Sequence, residues 1–151
     1  MIRKIFETKD SYAALVTRLT LGIVILPHGL QKVFGWFGGF GFEGTMGFFT
    51  QQMGIPYIFA LLAVLAESLG AAAVIAGLFT RLAAIGVGVT VGIGALMVHL
   101  PNGFFMNWFG TQQGEGYEYH ILAVGLALAV AISGGGKFAL DKLVAEKLNK
   151  Y

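Results

Sequence analysis

Within its apolar stretches the sequence offers few groups able to do chemistry: His28 and Lys32 in LPHGLQKVF, Glu67 in LLAVLAESLG, His99 before PNGFF, and His120 after GEGYEY. Imidazole and carboxylate exchange protons near neutral pH and hydrogen-bond to carbonyls, which suits acid–base work on a small polar head group. An ammonium beside them adds attraction for an anion. Cysteine is absent, which removes disulfides, thiolate metal sites, iron–sulfur clusters and dithiol relays. No close histidine pair stands at metal-ligand spacing on one helix and no phosphate-loop pattern occurs, so neither metal, haem nor nucleotide is expected. Each residue also has a plainer reading. Lys32 beside His28 is an ordinary snorkelling helix end, and His99 and His120 fall near the headgroups, where a histidine is cheap.

The elements that must position these groups emerge from composition and hydropathy. Hydrophobic residues are 56% of the 151 and charged residues 12%, and the mean hydropathy is +0.75. That balance excludes an ordinary soluble domain. Four stretches are apolar over the length needed to cross ~30 Å of hydrocarbon, at about 12–34, 56–79, 82–100 and 118–133, the last being the shortest. For the first, an uncleaved helix is the better reading, because its run is too long for a signal h-region. The 23 glycines lie mostly inside apolar runs, where small residues let helices approach closely. The fold expected is an all-α membrane protein: one domain over 1–151, a four-transmembrane-helix bundle with short interfacial helices at about 42–53 and 137–150. Arg3, Lys4, Lys9, Arg81, Lys137, Lys142, Lys147 and Lys150 all fall on one side of such a bundle. Both loops on the other side lack Lys and Arg, so a bacterial inner-membrane protein with both termini cytoplasmic is expected.

Helical phase and depth then bring the polar residues together. Arg18, Ile25, His28 and Lys32 share one stripe of the first helix. Stripes of small residues end in His99 on the third helix, begin with His120 on the fourth, and flank Glu67 on the second. All three histidines fall in the outer half. Glu67 lies roughly 15 Å below the outer end of its helix and Arg18 roughly 9 Å above the inner end of the first, so in a ~30 Å core they differ by about one turn. An Arg18–Glu67 ion pair is therefore expected as a structural element. His28, Lys32 and Glu67 are the candidate ligand-binding residues, and Glu67, His99 and His120 the candidate catalytic ones.

The strings HGLQKVFG at 28–35, LLAVLAESLG at 61–70, GLFTRLAA at 77–84, HLPNGFF at 99–105 and GEGYEYHIL at 114–122, in this order and spacing, resemble the DoxX family of small bacterial membrane proteins. The resemblance runs from about 12 to 136. It implies a four-helix membrane bundle related to the DoxD subunit of thiosulfate:quinone oxidoreductase and to MauE proteins. It matches the family's polar positions to His28, Lys32, Glu67, Arg81, His99, Asn102, Glu118 and Tyr119.

Three functional readings are open. The first is a quinone-linked redox protein or redox-complex subunit, in enzymatic form a quinone-dependent oxidoreductase subunit, with electrons supplied by a partner or a small reductant. The second is a non-catalytic membrane subunit that assembles with a redox enzyme, and the third a small transporter. The lipid bilayer is the partner the composition demands. A redox partner protein and a homo-oligomer stay open, and no nucleic acid is expected.

Overall fold

A computed structural model describes residues 3–148, all of whose regular elements are helical. In chain order these are α1 (Arg3–Phe6), α2 (Tyr12–Phe34), α3 (Gly41–Gly47, running on into a π turn at Phe48–Gln52), α4 (Tyr57–Ala76), α5 (Thr80–Asn102), α6 (Glu118–Ser133) and α7 (Leu140–Leu148). α2, α4 and α5 are long and apolar enough to cross a membrane. α6 is also apolar but has 16 residues, about 24 Å at ~1.5 Å per residue. The last residues of the expected tail helix, 149 and 150, lie outside the described residues.

The helix ends obey local chemistry. Ser11 adopts an extended conformation and its side chain accepts from Ala14 N at 3.2 Å, opening α2. Gly35, at φ 72°, closes it. α4 stops at Ala76 because Gly77 turns left-handed, φ 70°. α5 begins at Thr80 because Asp141, at the start of α7, accepts from the amides of Phe79 (2.7 Å) and Thr80 (2.9 Å). A carboxylate at these orphan donors is the favoured partner for a helix N-terminus.

The interior is built from small side chains and the exterior from large ones. Leu21, Ile25, Val74, Val87 and Val130 are buried with Ala71, Ala84, Ala123 and Ala127. Val16, Ile23, Leu62, Leu69, Leu82 and Ile132 are more than half exposed, an apolar exterior that water would not tolerate and lipid would. The seams run along the small residues. A Cβ at Gly29 would lie 2.5 Å from the Glu67 carbonyl carbon, so α2 and α4 touch backbone to backbone there. A Cβ at Gly88 would lie 2.9 Å from Ala127, joining α5 to α6. At Gly86 it would come within 3.7 Å of Ala66, joining α5 to α4.

The structure corrects the expected ion pair between Arg18 and Glu67. Arg18 is 2% exposed, and its guanidinium donates to the carbonyls of Gly135 (2.6 Å), Val74 (3.2 Å), Ile75 and Lys137 (3.3 Å). Glu67 instead meets Lys32. Positions 18 and 32 stand roughly 21 Å apart along α2 at ~1.5 Å per residue, so a carboxylate beside one is out of reach of the other. The guanidinium's several donors are used to satisfy carbonyls at the end of α4 and in the Gly134–Gly136 turn. Arg81 plays the same part for α6, donating to Ala131 and Ile132 carbonyls at 2.6 Å each and to Glu7 at 3.0 Å. The glycine triplet is thus a junction as well as a stop. Gly136 N donates to Thr8 Oγ1 at 2.6 Å, and Lys142 pairs with Asp10 at 3.0 Å, drawing the N-terminal segment, α2, α4, α6 and α7 into one knot.

Candidate functional site

At the opposite end from that knot the helices surround a cavity of about 540 Å³. Each wall carries one or two polar side chains in an otherwise apolar lining: His28 and Lys32 from α2, Glu67 from α4, His99 from α5, Tyr119 and His120 from α6. Phe48 and Phe49, on the π turn that ends α3, complete the wall. All five residues picked out by type and phase as candidate binding or catalytic groups therefore border one space. Arg18, the sixth, is far from it in the knot at the other end.

Local backbone geometry sets how two of these residues face. Glu67 lies in a π turn, Ala66–Gly70, and His99 ends another, Ala95–His99. A π turn inserts an extra residue and rotates the rest of the helix relative to the turn before it, and such turns concentrate at functional sites. Thus the phase assigned to each helix from a regular 3.6-residue period shifts at the two residues that matter. Ser68, beside Glu67, bonds back to Val64 O at 2.6 Å and satisfies one carbonyl of the preceding turn.

The electrostatic centre is the Lys32–Glu67 pair, whose side chains are 22% and 13% exposed. Each neutralises a charge that would otherwise be expensive between helices. Lys32 Nζ also lies 3.5 Å from the carbonyl of His28, one turn earlier in the helix. On the far wall, the His99 and His120 rings lie 4.1 Å apart between centroids, tilted by 38°. His99 Nδ1 lies 2.9 Å from the Glu115 carbonyl. A carbonyl only accepts, so Nδ1 carries the proton and neutral His99 keeps Nε2 as its basic nitrogen. Tyr119 packs edge-on to His120 at 5.5 Å. Its hydroxyl and His120 Nδ1 are buried without a hydrogen-bond partner among the described residues. Two unpaired polar atoms on the wall of one cavity are what a site for a polar ligand group presents.

The segment 103–117 roofs the cavity on its outer side, contributing Met106 and Glu115 to the lining. It is pinned at both ends. Tyr117 N donates to Gly103 O at 3.2 Å and Glu118 N to Phe104 O at 2.9 Å. Glu118 Oε1 accepts from Met106 N at 2.8 Å, and Glu115 Oε2 from Asn107 N at 2.6 Å. Asn102 Nδ2 donates to the Glu115 carbonyl at 3.1 Å. Asn102 and Glu118, matched to the family's polar positions, thus hold the roof rather than the cavity. Glu115 is not among the expected site residues. It sits in a glycine- and amide-rich loop without periodicity, and its bonds to His99 and Asn102 are made by its backbone carbonyl, which no residue type announces. Tyr119 was signalled by the family strings, though not by helical phase.

Comparison with known proteins adds one positive finding. No curated protein and no solved structure matches the chain significantly. The family model described as DoxX matches residues 13–100, which takes in α2 to α5 with His28, Lys32, Glu67 and His99, and stops short of Tyr119 and His120. The match covers more than half of the chain, and on that ground the protein is a member of the DoxX family.

Proposed function

We propose that this DoxX protein is a quinone-linked redox protein, or the quinone-binding subunit of a redox complex, in the bacterial inner membrane. The observation that carries the reading is the single cavity in which an apolar lining surrounds a carboxylate–ammonium pair, two neighbouring imidazoles and an unpaired phenol. A quinone head group is a flat apolar ring with two carbonyls, and its reduction consumes two electrons and two protons. Tyr119 Oη suits donation to a quinone carbonyl, and His120 Nδ1 suits proton exchange with the hydroxyl of the reduced ring. Glu67, held by Lys32, suits proton exchange, and His99 suits proton delivery from beneath the roof. His28 borders the cavity from the same helix as Lys32. The electrons come from a companion redox protein or a small external reductant, because the chain has no cysteine-based carrier. In this reading α6 is a fourth span, short for the bilayer, and both termini are cytoplasmic, supported by the run of Lys and Arg at the knotted end.

The test is titration of purified protein with a short-tailed soluble quinone, comparing the unmodified chain with Tyr119→Phe, Glu67→Gln and His28→Ala. Loss of one good hydrogen bond is worth about 1–1.5 kcal/mol, so affinity is expected to fall roughly tenfold in Tyr119→Phe. Unchanged affinity in all three, with thermal unfolding intact, would leave the non-catalytic assembly subunit as the better reading.

A further inference from the structure

We infer that the cavity opens sideways into the bilayer between the outer halves of α4 and α5, and that its ligand is an amphiphile whose apolar tail leaves through this gap at Ala63, Ile93 and Gly94. The inference rests on the head-group reading above and adds to it a route and a second half of the ligand.

The α4–α5 seam is tight below the cavity and parts at it. Gly86 stands against Ala66, and a Cβ at Gly70 would be 3.8 Å from Val87. One turn further out, Ala63 and Thr90 line the cavity, and Gly94, Ile93 and Met97 continue that lining toward the surface. A Cβ at Gly94 would meet nothing within 4 Å. Ile93 and Met97 are 49% and 47% exposed, so apolar side chains connect the cavity wall to the lipid-facing surface without a polar interruption.

The other seams are in contact at several points, although Val24 on α2, 40% exposed, also lines the cavity. α2 and α4 touch backbone to backbone at Gly29, and α5 meets α6 at Gly88 and Gly92. Above, the pinned segment 103–117 lies over the cavity, with Met106 and Glu115 in its lining. A site roofed on its outer side and open toward hydrocarbon selects molecules already dissolved in the bilayer. A tail in the gap exchanges lipid contacts for similar protein contacts, so the gap governs access and tail length more than affinity.

The experiment uses full-length protein in lipid nanodiscs and two quinones with the same ring, one bearing a methyl group and one a long isoprenoid tail. Affinities are expressed as mole fraction in the bilayer. Gly94→Leu is chosen because Gly94 is helical, at φ −57°, and leucine is the better helix former, so folding is expected to be preserved. Its side chain would fill the gap. The ratio of long-tail to short-tail affinity is expected to fall about tenfold or more in Gly94→Leu. A photoreactive group at the tail end should label Ala63, Ile93 or Met97 in the unmodified chain. An unchanged ratio, or labelling confined to Val24 on α2, overturns the inference while leaving the head-group reading intact. Failure of the unmodified chain to bind either quinone overturns both.

Discussion

Lys32 and Glu67 meet across the α2–α4 seam one turn beyond the point where Gly29 lets the two backbones touch. The two features depend on each other. The glycine brings α4 close enough for the ammonium at the end of α2 to reach the carboxylate, and the pair in turn neutralises charges that neither helix could carry alone between apolar neighbours. Because the same two side chains border the cavity, a change to the seam is a change to the site.

Coupling between the two residues is the first expectation. Glu67→Gln and Lys32→Gln should each lower thermal stability in detergent, and the double substitution should recover part of the loss, giving an interaction of about 1–3 kcal/mol. The same cycle on Arg18 and Glu67 should add within about 0.5 kcal/mol, since they share no partner. Coupling of the second pair without the first would contradict the arrangement.

This pair also shows where sequence reasoning stops. Hydropathy and length located α2 to its first and last residue, and phase gave the inward-facing stripes, while depth counted from helix ends put the three histidines in one half of the bundle. Choosing Arg18 over Lys32 as the partner of Glu67 relied on depth counted from helix ends, and depth fixes neither the tilt of a helix nor its offset from a neighbour. The carbonyls of Val74 and Gly135 that hold Arg18 have no side-chain signature. Nor do the π turns under Glu67 and His99. Asp141 reads in sequence as one charge on an amphipathic tail, and only the fold brings it 61 residues back to cap α5.

Removing the Arg18 guanidinium should damage the fold without touching the cavity. Arg18→Met leaves the Gly135 and Ile75 carbonyls without their guanidinium partner, a loss of roughly 1–3 kcal/mol for each such group where it is buried. Arg18→Lys should rescue little, because one ammonium cannot serve carbonyls arranged around a planar fork. Unfolding temperature reads both, and quinone affinity of the surviving folded fraction should match the unmodified chain. Full rescue by lysine would show that charge alone matters at this position.

Gly29 offers a complementary test from the seam. Its substitution by alanine places a methyl on the Glu67 backbone, which has no room to yield. Overpacking of this kind costs about 1–3 kcal/mol. It should also part Lys32 from Glu67, so Gly29→Ala is expected to lose stability and short-tailed quinone affinity together. Gly125→Ala, on a helical glycine with nothing within 4 Å of a Cβ, is the control: it should gain up to about 1 kcal/mol in helix propensity and leave quinone affinity unchanged. Equal behaviour of the two variants would remove the link between seam and site.

The topology can be settled around α6, the helix whose 16 residues make it the least obvious span. The chain has no cysteine, so a single introduced thiol is the only one to react. Thr45 and Thr80 would be poor reporters, since both are buried. Gln51 and Thr111, exposed on the π turn after α3 and on the roof, and Lys9 and Glu146, exposed beside the knot, are accessible. A membrane-impermeant maleimide added to intact spheroplasts should label Gln51→Cys and Thr111→Cys, and should reach Lys9→Cys and Glu146→Cys only after the membrane is opened. Thr111 and Glu146 flank α6, so opposite labelling of these two requires that it crosses the bilayer, whatever its length. Labelling of both from the same side would reduce the bundle to three spans and leave α6 lying on the membrane.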